Sequence, residues 1–171
     1  MIGTLRTTRQ IRQYAAEPVP DGVLRQILQV ARWTGSSTNR QEWHFIVVRD
    51  RDTIVKLSRL RTPISWIAGA PLGIAIVVDE DDASHAYDEG RATERILVAA
   101  HALGYGGGIA WYGDASQQAE VKKLLGIPAD KTARQIVMIG RPVSPTDPRP
   151  GARPGGRKPL AEIVSYDRYS K

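Results

Sequence analysis

A run of small polar residues near position 36 combines several groups that can hold a small ligand. Residues 34–50 read TGSSTNRQEWHFIVVRD, and the small polar part favours a turn with exposed hydroxyls, a side-chain amide and backbone N–H groups. The apolar, β-branched residues 43–48 predict a buried strand. A polar loop at the mouth of a core strand suits ligand binding. A plain helix-to-strand connection fits the composition equally well.

Three arginines near the N-terminus have a spacing that could serve phosphate binding. Arg6, Arg9 and Arg12 are three residues apart, so a helix over residues 5–14 would place them near one another along one side. Guanidinium groups match phosphate oxygens, and each charge-assisted hydrogen bond contributes about 1.5–3 kcal/mol. The alternative is a solvated basic face, in which clustered like charges would repel one another.

The composition is that of a globular protein and limits the chemistry of the chain. Its 171 residues are 42% hydrophobic and 25% charged, which fits a single domain. The chain contains no cysteine, which excludes disulfides, thiol nucleophiles and cysteine-held metal sites, so redox chemistry would need a bound cofactor. The three histidines have neither metal-binding spacing nor a Ser-His-Asp arrangement. Structural roles are expected for them, and no metal site is predicted.

The net charge of +6 permits an anionic partner. The arginines are dispersed and have few aromatic residues among them, so a phosphate-bearing cofactor explains the charge better than nucleic acid does. The sequence has no apolar run of transmembrane length, and its first ten residues lack the apolar core of a signal peptide. We therefore expect a cytoplasmic protein without membrane association.

The spacing of apolar residues predicts the elements that position these groups. Apolar runs predict buried strands, and apolar stripes predict helices that cover them. The longest helix has a second half that is apolar on nearly all sides, so we expect it in the core. The predicted helices cover residues 22–34, 52–61, 84–104 and 116–126, and the predicted strands cover residues 43–48, 72–78 and 135–140.

Two stretches with unusual backbone composition complete the pattern. Residues 105–112 read YGGGIAWY, and three consecutive glycines either let a backbone approach a ligand closely or form a flexible turn. Residues 142–159 hold six of the chain's eleven prolines and predict extended, irregular chain. This segment is either a disordered basic tail or a strap that docks through the apolar residues 159–166.

Two of these stretches are similar to sequence signatures of the nitroreductase family. Residues 36–43, SSTNRQEW, resemble the signature Ser-Ser-x-Asn-x-Gln-Pro-Trp, with Glu42 at the position of the proline. Residues 9–14, RQIRQY, resemble the N-terminal pattern Arg-Arg-Ser-x-Arg-x-Phe. Aligned on the final aromatic residue, two basic positions fall on Arg9 and Arg12, the serine falls on Gln10, and Thr8 stands where many members have another arginine.

Later stretches resemble the same family in the same order. Residues 84–104 are similar to its central helix, Gly-x-Ala-x5–7-Ala-Ala-x-x-Leu-Gly, which forms much of a dimer interface. Residues 124–128, LLGIP, and 140–142, GRP, are also typical of the family. Residues 157–163 resemble its closing motif, Lys/Arg-x-Arg-x-Pro-Leu-x-Glu-Ile, in which a basic residue completes the phosphate site.

The resemblance implies an α+β fold over residues 1–171, with a central, mostly antiparallel sheet flanked by helices and FMN at a homodimer interface. One chain would contact the FMN phosphate, ribityl chain and pyrimidine edge through its N-terminal motif, and the other would supply the Ser-Ser-x-Asn loop. The implied cofactor-binding residues are Arg9, Gln10, Arg12, Ser36, Ser37, Asn39, Gln41, Gly107, Gly108, Ile109, Arg157 and Lys158.

The implied activity is reduction of nitroaromatic, quinone or similar acceptors with NAD(P)H by a ping-pong mechanism. The flavin N5 would carry the chemistry, so no side chain is needed as a nucleophile. Trp111 and Tyr112 stand where family members often carry Glu-Gly or Gly-Gly, so they could reshape or fill the region over the flavin. The alternatives are therefore a flavin-binding protein without turnover and, on charge alone, a basic nucleic-acid binder.

Overall fold

A four-stranded antiparallel sheet forms the centre of the molecule, within residues 2–144 and 157–169, which the computed structural model describes. The strands are β1 Trp43–Val48, β2 Leu72–Val78, β3 Gly106–Trp111 and β4 Thr132–Gly140. The strand order is β1-β2-β4-β3. Every residue of the two central strands is buried, because helices cover both faces of the sheet. The prediction of an α+β fold with an antiparallel sheet is confirmed.

Aspartates cap three of the helices among the described residues. Asp50, Asp82 and Asp114 each accept a hydrogen bond from the backbone N–H three residues on, which satisfies a helix terminus. Asp82 therefore caps the longest helix. Asp21 is the first helical residue after Pro20. The helices are α1 Ile2–Thr7, α2 Asp21–Arg32, α3 Arg51–Arg59, α4 Ala83–Ala102 and α5 Ala115–Leu125.

The sheet separates two hydrophobic cores. On one face, α2 and α4 pack through residues such as Ile27, Ile96 and Leu97. On the other face, α3, α5 and a 3₁₀ segment, Thr62–Gly69, pack through residues such as Ile54 and Ile67. The expected burial of the second half of α4 is confirmed, because most residues from 96 to 100 are buried and the helix contacts three strands of the sheet.

The N-terminal segment departs from the prediction. Helix α1 ends at Thr7, and the following residues are extended along the outer edge of β3. Gln10 forms a parallel bridge with Gly107, and the Ile11 N–H donates to the Gly107 carbonyl at 2.7 Å. A helix over residues 5–14 that places three arginines on one side is therefore wrong. The backbone donors and acceptors of this segment pair with an open strand edge instead of with one another.

The closing segment lies at the surface where it is described. Residues 157–169 are exposed throughout, including Leu160, Ile163, Tyr166 and Tyr169. Within one chain, the described part of the apolar stretch 159–166 therefore does not dock into the core. Of the predicted Pro/Arg-rich segment 142–159, residues 145–156 lie outside the described residues.

None of the helices in residues 2–144 and 157–169 combines the length and apolar character that crossing a membrane requires.

Candidate functional site

The extended N-terminal segment brings three predicted site residues against β3. The Gln10 side-chain oxygen accepts a hydrogen bond from the Ile109 N–H at 3.3 Å. The Arg12 guanidinium lies 5.5 Å from the ring centre of Trp66, a cation–π contact that fixes the direction of its planar fork. Since side chains alternate along extended chain, Gln10 and Arg12 share one side, whereas Arg9 lies on the other.

Arg9 is exposed and anchored by its own segment. Its Nη1 donates to the carbonyls of Arg6 at 2.7 Å and Thr8 at 2.8 Å. The side chain also lines a small cavity of about 210 Å³ together with His101 and Tyr105. The other N–H groups of its fork have no partner among the described residues, so Arg9 retains donors for an anion.

The glycine run in β3 exists because the N-terminal segment lies so close. A Cβ at Gly108 would lie 2.4 Å from the Ile11 carbonyl oxygen and 2.7 Å from the Trp66 ring, and a Cβ at Gly106 would lie 2.4 Å from Ile11 Cγ1. Gly107 is buried against Leu97. The run is thus a strand with tight packing, and Gly107, Gly108 and Ile109 form the backbone wall on which Gln10 rests.

We expect Gly108→Ala to lower the free energy of unfolding by about 1–3 kcal/mol, since its methyl group would meet a backbone oxygen and a packed indole. Urea unfolding of the purified variant measures this loss. Gly69→Ala is the control, because a Cβ there meets nothing within 4 Å. Equal unfolding midpoints for the two variants would contradict the tight packing.

The Ser-Ser-x-Asn loop has a strained backbone. Thr38, Asn39 and Gln41 have positive φ angles of 50°, 59° and 56°, a region that non-glycine residues occupy at a cost of about 1–3 kcal/mol each. The Gln41 N–H donates to Ser36 Oγ at 2.9 Å and closes the loop. Ser37 and Asn39 are exposed. Such strain concentrates at ligand-binding sites, which agrees with the predicted role of this loop.

Two side chains of α4 hold the ends of this loop. Arg91 Nη1 donates to the Gly35 carbonyl at 2.6 Å. At the other end, His85 Nε2 lies 3.1 Å from Glu42 Oε2, while its Nδ1 lies 2.8 Å from Asp82 Oδ1. The sequence predicted a structural role for His85 but gave no sign that it meets Glu42, because residues 43 apart along the chain show no spacing pattern.

The arginine segment and the Ser-Ser-x-Asn loop lie at opposite corners of the sheet in one chain. Residues 9–12 border β3, whereas residues 36–41 precede β1, and three inter-strand spacings of about 4.8 Å separate these edge strands. Through the strand pairings, Gly107 lies level with the end of β1, whereas Trp43 is the first residue of β1. These two positions are about 20 Å apart along the strand direction. One chain therefore does not bring both clusters around one small ligand.

Arg157 and Lys158 join neither cluster within the described residues. Both are exposed, and Lys158 lines a groove formed by its own segment with Glu162, Asp167 and Tyr169. No hydrogen bond or ion pair connects either residue to 9–12 or 36–41 in the part of the chain that is described. Their predicted contact with a phosphate stays a prediction.

Comparison with known proteins identifies the family. The model of the nitroreductase family matches residues 5–62, which include both clusters. An Archaeoglobus fulgidus protein named "Putative NADH dehydrogenase/NAD(P)H nitroreductase" is 34% identical over 149 residues, 82% of this chain and 84% of that protein. The chain belongs to the nitroreductase family. The resemblance carried by the SSTNRQEW and RQIRQY motifs is thereby confirmed.

Solved structures agree with the nitroreductase fold. An FMN-dependent nitroreductase from Clostridium difficile superposes with a TM-score of 0.83 at 25% identity, covering 99% of this chain and 100% of that one. The NADPH:FMN oxidoreductase of Vibrio harveyi, solved with NAD+, gives a TM-score of 0.84 at 22% identity and covers 99% and 78% of the two chains. The second likeness concerns the fold alone.

Proposed function

We propose that this nitroreductase-family protein is an FMN-dependent oxidoreductase that uses NAD(P)H to reduce nitroaromatic, quinone or similar acceptors. The observation that carries the proposal is the basic segment 9–12, held against the backbone of β3 by Gln10 and stacked on Trp66 by Arg12. The names of the relatives support the cofactor and the electron donor, since they include an FMN reductase [NAD(P)H] and an FMN-dependent nitroreductase.

The residues of this segment fit a phosphate-bearing flavin. Arg9 keeps guanidinium donors for a phosphate, and Arg12 and Gln10 present a cation and an amide from the same side of the chain. Arginine stays protonated at all working pH values, so Arg12 would stabilise negative charge at the flavin pyrimidine edge throughout. FMN held by these residues would supply the redox chemistry of a ping-pong cycle, with NAD(P)H as the hydride donor and the acceptor as the final oxidant.

We propose that the complete site needs two copies of the chain. Ser36, Ser37, Asn39 and Gln41 of one copy would lie beside the arginine segment of the other, which agrees with the distance between the two clusters in one chain. The surface supports a homodimer, because α1 has no buried residue and exposes Ile2 and Leu5. A six-residue helix is unstable unless another surface covers it.

Trp111 and Tyr112 bear on the choice between the reductase and a flavin-binding protein without turnover. Tyr112 is fully buried, its hydroxyl donates to the Leu57 carbonyl at 3.3 Å, and burial raises the pKa of that hydroxyl. Tyr112 therefore belongs to the core and cannot fill a pocket over the flavin. Trp111 is half-exposed, and its carbonyl accepts from Arg61. Trp111 and Tyr112 therefore fill less of the space over the flavin than the sequence suggested, and this favours turnover.

The remaining alternative, a nucleic-acid binder, has less support. Five of the arginines among the described residues are paired with carboxylates, so part of the basic charge is neutralised locally and is not free for a polyanion. These pairs join Arg40 to Glu42, Arg49 to Asp21, Arg91 to Asp88, Arg134 to Glu89 and Arg141 to Glu17. The cytoplasmic location, the single domain over residues 1–171 and the use of NADH or NADPH remain predictions.

The visible absorption spectrum of the purified protein tests this function. We expect flavin bands that bleach when NADH or NADPH is added without oxygen and that return when a quinone is added. Bands that persist with both donors would contradict turnover and favour a binding protein. A protein that neither carries flavin nor retains added FMN would refute the proposed cofactor.

A further inference from the structure

The Ser-Ser-x-Asn loop is attached to α4 at both of its ends. The Arg91 guanidinium packs so closely on Gly35 that a Cβ there would lie 2.5 Å from Nη2, and it donates to the Gly35 carbonyl. His85 reaches Glu42 at the far end. Because the backbone between these ends is strained at Thr38, Asn39 and Gln41, its shape depends on constraints from outside the loop.

One of the two attachments, the contact of His85 with Glu42, depends on a side chain that can gain or lose a proton. The His85 side chain is 7% exposed and lies between two carboxylates, with Asp82 at Nδ1 and Glu42 at Nε2. Both contacts can be hydrogen bonds only when both ring nitrogens carry protons, because neutral imidazole has a single N–H. Because the contact to Asp82 is the shorter one, a neutral His85 that keeps its N–H there would present a lone pair to the Glu42 carboxylate.

We propose that His85 and Glu42 are positioning residues that make flavin binding pH-dependent: protonated His85 holds Glu42 and the adjoining loop in the conformation that binds the cofactor, and neutral His85 releases it. This inference rests on the proposed function, since the loop would bind flavin in the second copy of the chain. Neither residue needs to touch the flavin, because Glu42 is bonded directly to Gln41 of the loop.

The surroundings of His85 favour its charged form. The hydrogen bond to Asp82 raises the pKa of His85 above its ordinary value of 6.5, with further attraction from Glu42, while burial opposes the shift. A Glu80 carboxylate oxygen also lies within 4.8 Å of an Asp82 carboxylate oxygen and of a His85 ring nitrogen. Two cations lie beyond these carboxylates. Arg40 pairs with Glu42, and Lys131 pairs with Asp79.

The sign of the effect follows from this direction. A group whose folded-state pKa is raised contributes its stabilisation fully below its ordinary pKa and loses it as the pH rises through the folded-state pKa. The attachment of Glu42 is therefore complete below pH 6.5 and is lost at some higher pH. Flavin affinity should fall across the same interval.

The test measures dissociation constants of FMN and riboflavin by flavin fluorescence, between about pH 5.5 and 8.5, with the full-length protein. We expect both flavins to bind about tenfold more weakly at the high end, since one charge-assisted hydrogen bond is lost. Riboflavin matters because it lacks the phosphate, whose own titration near pH 6 would otherwise mimic the effect. The imidazole signals of His85, followed by NMR, should shift at the same pH as the affinity.

Three variants separate titration from a merely structural role. His85→Gln should bind flavin with little pH dependence, and Glu42→Gln should flatten the profile in the same way. Arg91→Gln removes the other attachment, so it should bind more weakly at every pH and keep the slope. Circular dichroism of each variant checks folding, and Glu42→Gln, on a half-buried side chain, carries the test if His85→Gln does not fold.

The outcomes distinguish this inference from the proposed function. A wild-type protein that binds flavin with no change over this pH range, or a His85→Gln variant that keeps the wild-type slope, would overturn the role of His85 alone. A wild-type protein that binds neither flavin at any pH would overturn the proposed function, and the inference with it. A slope lost in both His85→Gln and Glu42→Gln but kept in Arg91→Gln would establish the inference.

Discussion

Replacing Arg9 by alanine is expected to weaken FMN binding about 10- to 100-fold, because one charge-assisted hydrogen bond to phosphate is worth about 1.5–3 kcal/mol. Riboflavin binding should change little, since Arg9 lies on the side of the extended segment opposite to Gln10 and Arg12. Fluorescence titration with both flavins measures the difference. Arg59→Ala is the control, because it removes the same charge from an exposed position on α3.

The same variant tests whether the site is shared between two chains. Arg9→Ala and Asn39→Ala each damage one half of a composite site, so mixed dimers would contain one site with both changes and one intact site. After unfolding and refolding the two variants together in equal amounts, about a quarter of the sites should regain wild-type FMN affinity. No regain, with dimers formed, would mean that both residues act within one chain.

The sequence predicted those elements whose signal is local. Apolar runs marked β1, β2 and β4, and apolar stripes at helical spacing marked α2 to α5, because burial on one face imposes these periods. The strand β4 begins three residues before the predicted start. Residues 132–134 read Thr-Ala-Arg, and these residue types do not predict a buried strand that is covered by a helix.

The sequence could not predict the contacts that depend on distant partners. Residues 9–12 have arginines at helical spacing, yet Gln10 and Ile11 pair with Gly107 at the edge of β3, and only the three-dimensional fold shows that edge to be open. The glycines of β3 indicated a close contact with the backbone, but the sequence did not show that the contacting residues are Ile11 and Trp66. The meeting of Glu42 with His85 was likewise hidden, although the acidic residue in place of the motif's proline marked the position as unusual.

Arg134→Met is expected to have the largest effect on stability, a loss of about 3–5 kcal/mol at neutral pH, because it leaves a buried carboxylate without its counter-charge. Arg134 Nη1 donates to Glu89 Oε2 at 2.6 Å, and these residues are only 6% and 2% exposed. Urea unfolding at pH 7 measures the loss. Arg141→Met is the control, since the Arg141–Glu17 pair is about half-exposed and should contribute less than about 1 kcal/mol.

A bulge in β4 creates this buried pair. Ile76 pairs with Gln135 and Val78 pairs with Thr132, so β4 has one residue more than β2 over this stretch. Ala133 and Ile136 face the α3 and α5 side, whereas Arg134 and Gln135 both reach α4, where Gln135 donates to Thr93 Oγ1 at 2.6 Å. An extra residue thus aims two polar side chains at one helix.

The pH dependence of the Arg134→Met loss separates desolvation from lost packing. Burial raises the pKa of Glu89 above 4.5 even with Arg134 present to lower it, and removing Arg134 should raise that pKa further. A raised carboxyl pKa means that stability is retained below the ordinary pKa and lost as the pH rises through the folded-state value. The deficit of Arg134→Met should therefore be small near pH 4.5 and grow towards neutral pH, whereas lost packing would cost the same at both.

The double variant Glu89→Gln/Arg134→Met should recover most of the loss at pH 7, since a buried ion pair replaced by neutral groups of similar volume is often neutral or stabilising. A double variant as unstable as Arg134→Met would show that Arg134 acts through packing and through Asp81, its second partner. Glu89 lies on α4 between His85 and Arg91, which hold the two ends of the Ser-Ser-x-Asn loop. The pairing with Arg134 therefore fixes the stretch of α4 from which both contacts to the loop are made.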